Sequence, residues 1–395
     1  MENSKALRVL VAGSILQLFL GIIYTWSVFV GPVSEFFSWD AANVKLTASY
    51  MLSFFVIGIL AGGKLQLKAG ASKVVLSGGM MLAVGMLATS FIPKDFAWII
   101  YITYGILGGF GVGMAYSAIT TSAQKWFPAK RGLATGVSTC CFGFSTVIFA
   151  PLVETLISSA GLLNTFRILA LVFSIAVLGL FHFIDLPDEQ VQQNPAAEKL
   201  LQQKQYTTSE MIKTKNFYLV TMSMMFGTTA YFILNPSFKS LALERGLSTA
   251  ASTALVMICG VANSAGRLIM PVLSSKIGRE RTAVLSIFLT AVCTLSLCFV
   301  SGPLFIVVVA VITCCYGGYS GLYPLITADR FGIRNVGSNY GAIMVGFGIS
   351  ALFFPMIISR IQDDFIRFII LSIMAAVGAI LILTLTISGK SERKA

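Results

Sequence analysis

Charge is scarce in this sequence: only 11% of its residues are Asp, Glu, Lys or Arg, where soluble domains carry about a quarter. That shortage excludes an ordinary water-facing surface. With 56% hydrophobic residues and a mean hydropathy of +0.85, the solvent for most of the chain has to be lipid. Histidine is nearly absent, and the one present, His182, closes an apolar run as an interfacial side chain would. The seven cysteines (Cys140, Cys141, Cys259, Cys293, Cys298, Cys314, Cys315) are odd in number and all lie inside apolar runs, so neither a disulfide scaffold nor a metal site is expected. Nucleophile–base pairs and nucleotide-binding motifs are also missing, which argues against an enzyme and against any cofactor. The net charge of +12 does not make a nucleic-acid binder, because the 28 Lys and Arg are scattered in short clusters between apolar runs.

Long apolar runs are what the chain has in quantity. Crossing the hydrocarbon takes about 20 apolar residues, and twelve runs qualify. Six are Leu7–Val30, Ala42–Leu65, Val74–Ile92, Phe96–Ser117, Gly132–Ile157 and Thr165–Ile184. The other six are Phe217–Phe238, Thr249–Leu273, Thr282–Val300, Pro303–Ile326, Ser338–Ile358 and Ile366–Ile387. The first is too long for a signal peptide and lacks a small-x-small cleavage site. With the N-terminus inside, twenty basic residues fall in inner segments and seven in outer ones, so both termini are expected in the cytoplasm. The remaining one, Arg267, lies within a span. The longest polar stretch, Asp185–Lys215, is rich in Gln, Glu and Lys. It reads as a cytoplasmic linker (185–215) between an N-terminal half (1–184) and a C-terminal half (216–395).

The halves repeat. Lys68-Ala-Gly70-Ala-Ser-Lys73 follows span two and Lys276-Ile-Gly278-Arg-Glu-Arg281 follows span eight, 208 positions apart and both basic-x-Gly-x-x-basic. Trp126-Phe127-Pro128 and Arg330-Phe331-Gly332 echo each other at a similar offset. Two parallel six-span repeats joined by a cytoplasmic loop are the architecture of the major facilitator superfamily, an all-α, twelve-helix membrane fold. The loops around Lys68, Gly70, Lys73, Lys276, Gly278 and Arg281 are then gating loops, although the acid that usually precedes the first basic residue is replaced by Leu67 and Ser275. Pairs of glycines four apart (Gly58/Gly62, Gly109/Gly113, Gly132/Gly136, Gly317/Gly321, Gly337/Gly341) predict close helix contacts. A phosphate-binding loop at Gly105–Gly113 is excluded, since no strand precedes it.

Arg267 sits about eight residues, or roughly 12 Å, from the cytoplasmic end of span eight. A charge at that depth costs at least about 2.5 kcal/mol and cannot be removed by deprotonation. It should therefore face a cavity and meet an anion, and its planar fork suits a carboxylate. Of the 16 acids, Glu154 in span five is the best-placed internal partner, but it is as well placed for Arg167. Asn263 lies one turn before Arg267 on the same face. Gln17, Gly21 and Tyr24 form a comparable face in span one, with Trp26 beside it. Tyr116, Tyr231, Asn235, Tyr316, Tyr323 and Tyr340 are further polar groups within spans, of which Tyr323, with Tyr24, is the preferred site residue.

The segments Gly21-Ile-Ile-Tyr24-Thr-Trp26-Ser-Val-Phe29, Arg131-Gly-Leu-Ala-Thr-Gly136, Gly266-Arg267-Leu268 and Asn335-Val-Gly-Ser-Asn-Tyr-Gly341 resemble the oxalate/formate antiporter family of that superfamily. The resemblance implies transport of a small carboxylate across a prokaryotic cytoplasmic membrane, and Arg267 matches that family's anion-binding arginine. Phe347 stands where the oxalate-transporting members use a lysine, so a monocarboxylate such as lactate, pyruvate or formate is expected in place of oxalate. Asn263 stands where the related proton-coupled monocarboxylate transporters carry an aspartate, which tilts the expectation towards exchange, with Glu154 as the proton-coupling candidate if symport operates. An oxalate/formate exchanger, a carrier of an unrelated solute and a carboxylate receptor of the same fold remain alternatives. The chain is expected to work as a monomer.

Overall fold

The computed structural model describes residues 2–187, 202–235, 238–358, 361 and 363–392. Residues 188–201 of the expected linker lie outside the described residues, as do Arg360, Arg393 and Lys394. The first six long helices are α1 (Glu2–Leu20), α2 (Ala41–Ala69), α3 (Ala71–Thr89), α4 (Gly109–Trp126), α5 (Arg131–Ala160) and α6 (Leu162–Leu180). The second six are α7 (Lys215–Leu234), α8 (Thr249–Ile277), α9 (Arg279–Ser296), α10 (Pro303–Phe331), α11 (Val336–Ile358) and α12 (Asp364–Glu392). Among the described residues, eleven segments are long and apolar enough to cross a membrane; α9, only 18 residues long and opening with Arg279-Glu280-Arg281, is not one of them. Side chains on the outside of the bundle are apolar, among them Leu171, Ile175, Val292, Ile373 and Ile380, as a lipid-facing surface requires.

Helix ends depart from the hydropathy boundaries for a consistent reason: a helix does not stop where the hydrocarbon stops. Thus α2 runs on through Lys64 and Lys68 to Ala69. The fourth span is displaced, entering through a π-helical stretch, Tyr101–Gly108, and continuing to Trp126. Its polar end, Thr120 to Gln124, is buried inside the bundle and so reads as loop by hydropathy alone. The first span is also broken. After α1 the chain winds as a 3-10 turn over Gly21–Thr25 and resumes as a separate helix, Trp26–Phe37.

The repeat is visible in backbone geometry. Gly70 and Gly278 both take positive φ (87° and 96°) between paired helices, and each donates its amide to the carbonyl four residues back, Gln66 and Ser274. Only a residue without Cβ adopts that backbone cheaply. At the other end of the linker, the Tyr206 amide donates to the Phe331 carbonyl (2.9 Å), and the Asn335 and Asn339 amides donate to the Tyr206 carbonyl (both 3.0 Å). That clip ties the start of the second half to the α10–α11 turn.

The halves meet along two seams, α5 against α8 and α2 against α11. Glycine sets the separation in both. A Cβ on Gly132 would lie 2.7 Å from the Pro271 carbonyl, and one on Gly63 would collide with the backbone of Gly337. Within the C-terminal half, Gly266 abuts the Cys314 carbonyl and Gly317 the Asn263 carbonyl. Without a hydrophobic drive between helices in lipid, such close backbone packing is the main source of association. Gly266→Ala should therefore lower the melting temperature in detergent by several degrees or abolish the monodisperse species. Gly179→Ala, where a Cβ meets nothing within 4 Å, should melt like the wild type.

Candidate substrate site

Arg267 is carried at the middle of α8 and is 1% exposed. Its backbone fits there because Gly136 of α5 and Gly321 of α10 flank its carbonyl, where added Cβ atoms would lie 3.3 and 3.0 Å away. The guanidinium Nε donates to Asn263 Oδ1 (3.0 Å), one turn earlier on the same helix, and Nη2 donates to the Tyr24 hydroxyl (3.0 Å). Two ring faces cover the charge, Phe142 at 5.2 Å and Tyr24 at 5.7 Å. Stacking of this kind contributes about 2 kcal/mol or more when water is excluded. Among the described residues, no carboxylate lies within ion-pair distance of Arg267. Its charge is hydrogen-bonded but not neutralised.

Around it stands an aromatic cage drawn from both halves. The Tyr24 hydroxyl meets the Tyr316 hydroxyl at 3.2 Å, and Tyr316 stacks on Tyr231 with centroids 3.6 Å apart. Tyr116 neighbours both the guanidinium and Tyr340, and its ring packs edge-on against Phe55 and Phe142. Phe347 completes the wall against Phe55, Phe232 and Tyr316. Tyr24 alone of the cage tyrosines is only half-buried, and it sits on the 3-10 turn of span one. Such a cage can hold one small anion by a fixed cation and hydroxyl donors while presenting apolar rings to the rest of it.

Of the expected site residues, Arg267, Asn263, Tyr24, Tyr116 and Phe347 converge here. Gln17 lies one step away on α1, donating to Thr120 Oγ1 (3.3 Å) beside Tyr116. Trp26 lies elsewhere: its indole donates to the Val44 carbonyl (2.9 Å) and stacks on Tyr104, because the 3-10 winding rotates it off the Gln17–Tyr24 face. Tyr323 is tied to Ser223 (2.6 Å) two turns from Tyr316, so Tyr316 takes the place assigned to it. Glu154 is exposed and pairs with neither arginine among the described residues; Arg167 instead donates to Ser90 and Asn164. Sequence reasoning did not single out Phe142, which carries no polar signal; its spacing of six from Gly136 on α5 gave no warning.

On the terminal face, where α1 begins and α12 ends, Asp329 of α10 bridges the halves. It accepts from Arg131 Nη2 of α5 (2.8 Å) and Arg279 Nη1 (2.6 Å). Burial, opposed by Asp329 and aided by the charge of Arg131, lowers the Arg279 guanidinium to about 10, which leaves it charged at neutral pH. Arg330 pairs with Glu280 (2.5 Å) within the second half. The expected gating cations Lys68, Lys73, Lys276 and Arg281 are exposed, whereas Gly70 and Gly278 form the turns already described. The ion pairs that join the halves on this face come from Arg131, Arg279 and Asp329; Arg279 lies inside the Lys276–Arg281 motif, whereas Arg131 and Asp329 lie outside both motifs.

Residues 11–355 match the model of the Major Facilitator Superfamily. The chain belongs to that superfamily. It is 25% identical to the uncharacterised MFS-type transporter YhjX of Escherichia coli, over 87% of this chain and 85% of that one. It is 26% identical to the oxalate:formate antiporter of Oxalobacter formigenes, over 84% and 79%. Among solved structures it superposes on the proton:xylose symporter XylE with a TM-score of 0.73 and 13% identity, covering 97% and 96% of the two chains. The protein is a multi-pass membrane transporter and not an enzyme.

Gly143 fixes the guanidinium from the α5 side, with an added Cβ 3.0 Å from Arg267 Cδ and 3.1 Å from Nε. Gly143→Val should displace the side chain without unfolding the bundle. Transport in proteoliposomes should fall about tenfold or more, the equivalent of losing one charged hydrogen bond, while the melting temperature changes little.

Proposed function

We propose that this transporter carries a small monocarboxylate, such as lactate, pyruvate or formate, by alternating access and anion exchange. It works as a single chain in the cytoplasmic membrane of a prokaryote, with both termini inside. Residues 1–184 and 216–395 are the moving halves and 185–215 their tether. The observation that carries this is Arg267: a permanent charge, 1% exposed, with only neutral partners among the described residues. A bound carboxylate neutralises it and so lowers the barrier to moving it between the two access states.

The cage supports one anionic group. Phe347 presents a ring to the cage beside Tyr316, Phe55 and Phe232, so a second carboxylate there would be desolvated and unpaired, which is strongly unfavourable. Exchange fits better than proton symport, because Asn263, which cannot titrate, holds Arg267 Nε, and Glu154 is exposed on α5. An exchanger needs only that the unloaded carrier reorient poorly, and an unneutralised Arg267 supplies that barrier.

Counterflow in proteoliposomes with labelled lactate, pyruvate, formate and oxalate, with and without a pH gradient, tests the proposal. Wild type should exchange one or more of the monocarboxylates, prefer them to oxalate and be indifferent to the gradient. Arg267→Ala should abolish exchange, and Arg267→Lys should leave a small residue, since an ammonium lacks the fork geometry. Wild-type rates in Arg267→Ala would refute the assignment.

A further inference from the structure

Buried side-chain polar atoms left without a protein partner are unevenly divided between the halves. Among the described residues, those in the second half reduce to Thr221 Oγ1. Elsewhere in that half the hydroxyls are consumed by one another, as in Ser223–Tyr323 (2.6 Å), Thr229–Ser350 (2.9 Å) and Thr290–Tyr319 (2.6 Å). The first half keeps a set of unpaired atoms that includes Gln17 Oε1, Ser138 Oγ, Thr135 Oγ1, Gln124 Oε1 and Arg131 Nη1. Each such atom costs about 1–3 kcal/mol if nothing satisfies it, so their clustering in one half calls for a reason.

Their placement supplies one. On α5, Phe142, Ser138, Thr135 and Arg131 follow at steps of four, three and four and so share a face. Phe142 is the member of that face beneath the Arg267 guanidinium. On α4, Tyr116, Thr120 and Gln124 share a face in the same way, and Gln17 joins it through Thr120. Both faces start at the cage and descend towards the terminal face, over eleven residues of α5 or about 16 Å. At the foot stands Arg131, 7% exposed, with Nη2 on Asp329 and Nη1 unpaired. Two arginines meet one aspartate there, so the cluster carries a net positive charge.

We infer that Arg131 is a second carboxylate-binding station, reached from Arg267 along the hydrogen-bonding wall of α1, α4 and α5. The inference rests on the proposed carboxylate function. A carboxylate on Nη1 shares the guanidinium with Asp329 and weakens the ion pair that holds the halves together at this face. Substrate arriving at the terminal face thereby loosens the latch that would exclude it, and substrate leaving Arg267 finds a cation before it reaches water. Between the two arginines the hydroxyls of Ser138 and Thr135 can donate to the anion and, being neutral, pass it without trapping it.

The test separates a binding station from a plain latch, since Arg131→Gln and Asp329→Asn break the same ion pair. The assay is exchange of labelled pyruvate and formate in oriented proteoliposomes, with the KM read from the terminal face and from the opposite face. Arg131→Gln should raise the terminal-face KM about tenfold, as expected for one charged hydrogen bond, and leave the opposite-face KM unchanged. Asp329→Asn should lower the terminal-face KM or leave it alone, because it frees the guanidinium. Arg131→Lys, which keeps the charge, should recover most of the loss and guards against a misfolded Gln variant. Equal effects of Arg131→Gln and Asp329→Asn, or no effect of Arg131→Gln on that KM, would overturn the station and leave the transport assignment standing. Failure of the wild type to exchange any of lactate, pyruvate and formate would instead overturn the function on which it rests.

Discussion

Arg267 cannot shed its proton, so the bundle must accommodate a full positive charge at a depth where an unassisted arginine is costly by several kcal/mol. Much else follows from that. Asn263 and Tyr24 take up N–H groups, Phe142 and Tyr24 lend ring faces, and the glycines Gly136, Gly143 and Gly321 clear the space in which the residue and its side chain sit. None of these partners is an anion. They hold the guanidinium in position while leaving its charge available, which a structural salt bridge would not do.

The cage also explains why the halves must meet closely. Its residues come from α2, α4 and α5 on one side and α7, α8, α10 and α11 on the other, with Tyr24 from the turn after α1. Side chains of tyrosine and phenylalanine reach only so far, so the seams at α5–α8 and α2–α11 have to be backbone-tight, and glycine at Gly63, Gly132 and Gly337 makes them so. On the terminal face the same closeness allows a single aspartate, Asp329, to hold arginines from both halves.

Much of the fold was legible in the sequence, because a membrane span needs a long apolar run and the two halves carry the same basic-x-Gly-x-x-basic turn. The positive φ of Gly70 and Gly278 is the physical content of that repeat. The helix ends were less legible: the buried polar end of α4 looks like loop to any measure based on hydropathy. Arg267 and Asn263 could be picked out because both are anomalous in an apolar helix. Tyr316 could not be preferred over Tyr323 on sequence grounds, since the two lie two turns apart on one face of α10 and only the depth at which Tyr24 and Arg267 sit separates them. Trp26 sits off the cage because periodicity counted at 3.6 residues per turn fails across a 3-10 turn.

That turn, Gly21–Thr25, is wound more tightly than the helices on either side and rises about 0.5 Å more per residue than an α-helix. Rewinding its five residues would shorten span one by roughly 2.5 Å and rotate everything beyond it. Tyr24, which links the first half to Arg267 and Tyr316 through one hydroxyl, is mounted on this stretch. The contact between the halves at the cation is therefore carried by a segment whose length depends on how it is wound, and Gly21, pressed against the Phe142 carbonyl of α5, ties that winding to the helix whose ring covers the guanidinium.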